Sequence, residues 1–246
     1  LYIIDISTPD SPVIKGNVTI PGTPWDVAVA GDYAYVASIE YGLRIIDISN
    51  PAVPTEVGYY DTQGDVASVA VAGDYAYITD ESSGLRIINV SNPTEPEEVS
   101  LFSAPGTDTE PGAEGVTIAG DLAYLADGYS GLYVIDISDP LHPVELGHSF
   151  ADGGMAKNVA VAGNFAYVAD ATNGLRIVQV SNHLQCEEIG FYGGQEYRVA
   201  KTGDWAYIAG DNGLSIIHVS DPAHPSLAGA YTTPATSLDV AVAGNY

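Results

Sequence analysis

The chain has 246 residues, is 46% apolar and carries 32 acidic against 7 basic side chains, for a formal net charge of −25. That balance excludes nucleic acid as a partner, because affinity for phosphates comes from Lys and Arg, and it opposes adsorption to anionic membranes. No stretch reaches the ~20 apolar residues of a membrane span, and the single Cys186 excludes a disulfide within the chain.

The richness in Tyr, Gly and Pro, with no apolar run at helical spacing, predicts an all-β protein. The chain opens with two strands between Leu1 and about Ile20. A first complete unit follows: strand one near Asp26–Ala30, strand two near Tyr33–Ser38, strand three near Leu43–Ser49 and strand four near Thr55–Tyr60. Gly31-Asp32 makes its first turn, since Gly supplies a positive φ and Asp binds nearby backbone. Asn50-Pro51-Ala52-Val53-Pro54 makes its last, because proline stops a ladder. The runs Val27-Ala28-Val29-Ala30 and Ala34-Tyr35-Val36-Ala37 are apolar on both faces, so each sheet is expected to be covered on both sides.

This unit recurs. A Val-Ala-Val-Ala-Gly-Asp-Tyr-Ala-Tyr-like run places glycines at Gly31, Gly73, Gly120, Gly163, Gly203 and Gly244, spaced 42, 47, 43, 40 and 41. A second motif, Gly-Leu-x-Ile-Ile-Asp-Ile-Ser, places leucines at Leu1, Leu43, Leu85, Leu132, Leu175 and Leu214, spaced 42, 42, 47, 43 and 39. A period of about 40–50 residues, with four strands each, indicates a propeller. The expectation is one domain over residues 1–246, a six-bladed β-propeller of four-stranded antiparallel blades. Its sixth blade is split between the two ends, with strand one at Leu238–Ala243 and strand two, about nine residues, lacking. The chain therefore reads as a segment of a longer one.

The Leu-x-Ile-Ile-Asp-Ile-Ser-(Asn/Asp)-Pro motif, as in Leu43–Ile48 and Leu132–Ile137, together with the Ala-Gly-Asp-Tyr-Ala-Tyr run, resembles the LVIVD-repeat family. The resemblance spans essentially the whole chain. It implies a propeller of an extracellular or cell-surface protein and brings no catalytic set with it.

What the units share is fold, so function is sought where they differ. Arg44, Arg86 and Arg176 hold one repeat position, filled elsewhere by Tyr2, Tyr133 and Ser215; pairing with acids or stacking on tyrosine is expected of them. Asp80, Asp127 and Asp170 share another, suited to capping a turn, with calcium as the alternative. At the start of strand one lie two variable polar positions. Trp25, Glu114, Lys157 and Tyr197 fall in the first; Asp26, Asn158, Arg198 and Asp239 in the second. Lys201 stands where other units have Val29, Val71, Ile118, Val161 and Val242, and must reach water in a central channel or pair with an acid. These nine residues form a candidate ligand-binding channel rim.

The long loop at Ser103–Glu114 carries Asp108, Glu110 and Glu114, a candidate oxygen-ligand set for calcium and the only cofactor considered. His142, His183 and His224 lie in turns. No zinc spacing, nucleophile elbow, P-loop or dinucleotide fingerprint is present. The leading reading is a non-enzymatic module for protein or glycan interaction, adhesion or surface assembly, in contact with other copies or neighbouring domains. The alternative is a hydrolase, lyase or small-ligand receptor using the funnel, with or without a divalent cation.

Overall fold

A computed structural model describes residues 1–62, 64–104, 112–149 and 153–244. The chain falls into two compact units, Leu1–Phe102 and Ser103–Tyr246. The first holds the hairpin β1 (Tyr2–Asp5) and β2 (Val13–Asn17), then two four-stranded sheets. Its first complete blade is β3 (Pro24–Ala30), β4 (Tyr33–Ser38), β5 (Gly42–Asp47) and β6 (Thr55–Tyr60). Its second is β7 (Val66–Ala72), β8 (Tyr75–Asp80), β9 (Gly84–Asn89) and β10 (Glu97–Phe102).

The second unit holds three blades. The third is β11 (Ala113–Ala119), β12 (Leu122–Asp127), β13 (Gly131–Asp136) and β14 (Val144–Ser149). The fourth is β15 (Ala156–Ala162), β16 (Phe165–Asp170), β17 (Gly174–Gln179) and β18 (Glu187–Tyr192). The fifth is β19 (Glu196–Thr202), β20 (Trp205–Gly210), β21 (Gly213–His218) and β22 (Ser226–Tyr231). Every blade is an antiparallel meander in chain order, and its strand limits fall within two residues of those expected for the first unit.

The repeat motifs have local causes. The glycine between strands one and two has φ between 50° and 60° in all five blades, the left-handed region open to Gly. The Asp of Asp-Ile-Ser caps its own turn: Ser49 N–H donates to Asp47 Oδ1 at 2.8 Å, and Ser7, Ser91 and Ser138 do the same to Asp5, Asn89 and Asp136 at 2.9 Å. The hydroxyls of Ser49 and Ser138, and then these backbone donors, hold the carboxyls of Asp47 and Asp136 below their ordinary range.

Apolar faces stack sheet on sheet. In the first unit, Tyr35, Ala37, Leu43 and Ile45 meet Val66, Val69, Ile78 and Ile88. In the second, Tyr124, Leu132 and Val134 meet Val159, Val168 and Val178, and Leu175 and Ile177 meet Val199, Ile208 and Ile217. A second contact recurs at the outer edge. A Cβ on Gly16, Gly58, Gly147 or Gly190, all in fourth strands, would overlap the carbonyl oxygen of Pro51, Pro93, His183 or Pro222, in the last turn of the following blade. Glycine is needed there for close approach.

Val27 and Val29 of β3 are 47% and 65% exposed, whereas Val69 of the second blade and Val159 and Val199 of the second unit are buried. At the other end, Leu238–Ala243 forms no strand ladder. The segment lies against its own last blade, where Val240–Val242 and Gly244 face Trp205, Tyr207 and Leu214 across a cleft of about 500 Å³.

Candidate binding rim

Strand one of every complete blade carries a β-bulge at its second residue. The register skips between Pro24 and Asp26, Val66 and Ser68, Ala113 and Gly115, Ala156 and Asn158, and Glu196 and Arg198. The extra residues are Trp25, Ala67, Glu114, Lys157 and Tyr197. A bulge leaves its residue out of the ladder and re-aims its side chain. The first variable position of the sequence is therefore a position the backbone sets apart.

In the first unit Trp25 is half-exposed. Asp26 joins neighbouring blades: Ser68 Oγ and Val69 N–H donate to its Oδ2 at 2.7 and 3.0 Å. In the second unit Asn158 does the same work, accepting from Val199 N–H at 3.1 Å. Lys157 pairs with the buried Glu114 on the neighbouring strand. Arg198 donates to the carbonyls of Lys157 and Tyr197, both at 3.3 Å. Tyr197 donates its hydroxyl to Asp211 at 2.9 Å, a bond that raises the phenol pKa. Glu114, Lys157, Asn158, Tyr197 and Arg198 are thus brought together along β11, β15 and β19. Asp239 lies in the C-terminal segment and accepts from Val240 N–H at 2.7 Å.

Lys201 is not with them. It pairs in register with Ala206 at the far end of β19. Its ammonium lies 5.2 Å from the ring centre of Tyr167 and donates to the Gly203 carbonyl, and burial lowers its pKa. Its charge is met by an aromatic face and a carbonyl, which the sequence reading did not anticipate. Asp108 and Glu110 lie outside the described residues, and Glu114 is engaged by Lys157. Among the described residues no group of three His, Cys, Asp or Glu is placed to hold a metal ion.

The three arginines behave as their repeat position suggested. Arg86 bridges Asp80 and Glu98, both at 2.8 Å, and Arg176 bridges Asp170, at 2.9 Å, and Glu188. Arg44 pairs with Glu56 and lies 4.5 Å from the ring centre of Tyr59. Asp80 and Asp170 also cap their turns, accepting from Ser82 N–H at 3.1 Å and from Thr172 and Asn173 N–H at 2.9 and 3.0 Å. Burial pushes the Asp170 carboxyl up, but the donors of Met155, Thr172 and Asn173 and the charge of Arg176 outweigh it, and its pKa is low.

The third and fifth blades break this pattern. Asp127 is fully buried, its carboxylate oxygens have no hydrogen-bond partner among the described residues, and Tyr133 replaces the arginine. Burial pushes its pKa up to about 6. In the fifth blade Gly210 stands where the Asp would be. Glu196, opposite it in register, fills the space, its carboxylate between Gly194 and Gly210. Burial, then the charge of Asp211, pushes Glu196 up to about 7. The sequence reading missed Glu196 and Asp211. The signal was available: Gly210 breaks the Asp series while Glu196 stands where Val66, Ala113 and Ala156 are apolar.

His142 and His224 sit exposed in their turns, paired with Asp139 and Asp221 at 2.8 and 2.9 Å. His183 is half-buried and its Nδ1 has no hydrogen-bond partner among the described residues.

The model of the LVIVD repeat matches six times, at residues 1–20, 21–62, 63–103, 112–149, 153–192 and 193–233. The chain belongs to the LVIVD repeat family. Each repeat corresponds to one sheet, the first to the hairpin β1–β2. No curated protein matches the sequence. Among solved structures, a protein from Lactobacillus plantarum is similar with a TM-score of 0.77 at 14% identity, over 93% of this chain and 76% of its own. The β-propeller domain of Cps50 (Swd1) from Myceliophteria thermophila is similar with a TM-score of 0.68 at 12% identity, over 87% and 74%. The computationally designed protein Ika8 gives 0.69 at 8%, over 90% of this chain and 66% of its own length. At these identities the likeness shows the fold alone: these LVIVD repeats fold as β-propeller blades.

Proposed function

We propose that this chain is a non-enzymatic binding module of an extracellular or cell-surface protein, and that residues at the strand-one bulges contact a protein or glycan partner. The observation carrying this reading is the bulge itself. One backbone feature, repeated in five blades, carries five different side chains, of which Trp25, Lys157 and Tyr197 keep accessible surface while Ala67 and Glu114 are buried. Repeat frames that keep the backbone and vary one presented position suit recognition surfaces. Trp25 and Tyr197 offer aromatic faces of the kind that dominate contact energies. The surface location rests on what the family resemblance implies. The strong negative charge suits a soluble module that avoids nucleic acid and anionic lipid.

The experiment is a binding screen of the intact chain against immobilised glycans and surface-protein extracts, repeated with Trp25→Ala, Lys157→Ala and Tyr197→Ala. At least one variant weakens a binder about tenfold or more while the melting temperature holds. Binding that all three leave unchanged rejects the rim as the contact surface.

A second reading, a hydrolase or small-ligand receptor, is favoured by one observation. Glu196 is a buried carboxylate with a pKa of about 7, beside Asp211 and next in sequence to the bulge residue Tyr197. A carboxyl poised near neutrality suits proton transfer. Turnover of an ester or glycoside panel that Glu196→Gln abolishes would move the assignment to this reading.

A further inference from the structure

In the first unit, the end of the fourth strand of one blade reaches a side chain of the next. Tyr60 closes β6, opposite Leu43 in register, and its hydroxyl donates to Glu98 Oε2 of the second blade at 3.1 Å. Arg86, in the same blade as Glu98, pairs with that carboxylate at 2.8 Å. A phenol from one blade and a guanidinium from the other therefore converge on one acid.

In the second unit, the third and fourth blades keep two of these three groups. Arg176 pairs with Glu188 as Arg86 does with Glu98. The phenol is replaced: Ser149 stands opposite Leu132, at the position that Tyr60, Phe102, Tyr192 and Tyr231 hold in the other complete blades. A serine does not reach as far as a ring, and a cavity of about 10 Å³ lies between the two blades. Leu132, Ala156 and Val168 give it apolar walls, and Ser149, Arg176 and Glu188 line it with polar groups. Its volume matches the roughly 10–15 Å³ that one water molecule needs, and is too small for an organic ligand. Cavities that stay dry are apolar, whereas here a guanidinium donates, a carboxylate has lone pairs beyond those one arginine uses, and a hydroxyl does either.

We propose that this cavity is a binding site for a single resident water molecule, which takes the part of the missing phenol hydroxyl at the junction of the third and fourth blades. The water donates to the Glu188 carboxylate, accepts from the Arg176 guanidinium and is tied to the third blade by the Ser149 hydroxyl. A water with about three such bonds is a fixed part of a fold and costly to remove. The junction of the first and second blades is thus closed by a side chain, and this one by solvent held between charged and hydroxyl groups. The inference is independent of what the bulge residues bind.

The test is a crystal structure of the intact chain at a resolution that shows ordered water, joined to a measurement in solution. The natural sequence shows one water peak within about 3.2 Å of oxygens of both Glu188 and Ser149. In solution, cross-relaxation between water and the methyl protons of Ala156 and Val168 marks the same long-lived molecule. Ser149→Tyr supplies the phenol: the peak and the cross-relaxation are lost, and the new hydroxyl lies within hydrogen-bond distance of Glu188. Ser149→Leu, which fills the cavity without a hydroxyl, serves for the same loss where Ser149→Tyr does not fold. A cavity without a water peak in the natural sequence, or one filled by a protein side chain, overturns the proposal. So does cross-relaxation that persists unchanged once residue 149 fills the space.

Discussion

Asp170 and Arg176 face each other across a turn of the fourth blade, joined at 2.9 Å with the carboxylate fully buried. The arginine is the charged partner of an acid that the fold has removed from water. Arg176→Met is expected to destabilise the chain by about 3 kcal/mol, the low end for breaking a buried pair, since three backbone donors remain on Asp170. Urea unfolding measures it; a loss under about 0.5 kcal/mol would mean the turn donors alone hold the carboxylate.

Asp127 and Glu196 give a pH dependence of the opposite sign. Their carboxyls are pushed up to about 6 and about 7, so the folded state holds protons that the unfolded state has released. Stability is therefore highest below about pH 4 as far as these two groups act, and falls as the pH rises through their folded values. Asp170, held low, contributes stability above its unfolded value that is lost in acid. Asp127→Asn and Glu196→Gln should each flatten the decline between about pH 4 and 7. Unfolding free energies measured across that range decide it, and an unchanged slope in both variants refutes the assignment.

The glycine sockets supply an internal comparison. Gly58→Ala and Gly190→Ala place a methyl group on a backbone carbonyl and are expected to cost about 3 kcal/mol each. Gly193→Ala, in the turn after β18, meets none of the described residues and should change stability by no more than about 0.5 kcal/mol. Thermal melts make the comparison.

Asp26 and Asn158 were expected at a rim and are found stitching blades together. Asn158→Ala strands the Val199 N–H, and Asp26→Ala strands Val69 N–H and the Ser68 hydroxyl. Each should cost about 1–3 kcal/mol. Faster hydrogen exchange at the Val199 and Val69 amides would report the lost bonds; unchanged protection would show that other acceptors replace them.

Sequence by itself determined the blades. The period, the left-handed glycine turns, the Asp-Ile-Ser caps and the two-faced apolar runs are local, so each leaves a mark that one repeat shares with the next. It also marked Trp25, Lys157 and Tyr197 as departures and the three arginines as partners of acids. What it did not disclose was decided by contacts between strands distant in the chain. The bulge that sets Trp25 apart is a mismatch between two strands. Glu196 takes the place of a missing Asp only because β19 lies beside β20. Lys201 finds Tyr167 only once β19 packs on the fourth blade. The glycines of the fourth strands look like weak points in a strand until the turn of the next blade is laid over them. A repeat records what each unit needs for itself; what one unit needs from its neighbour appears only when the two are packed.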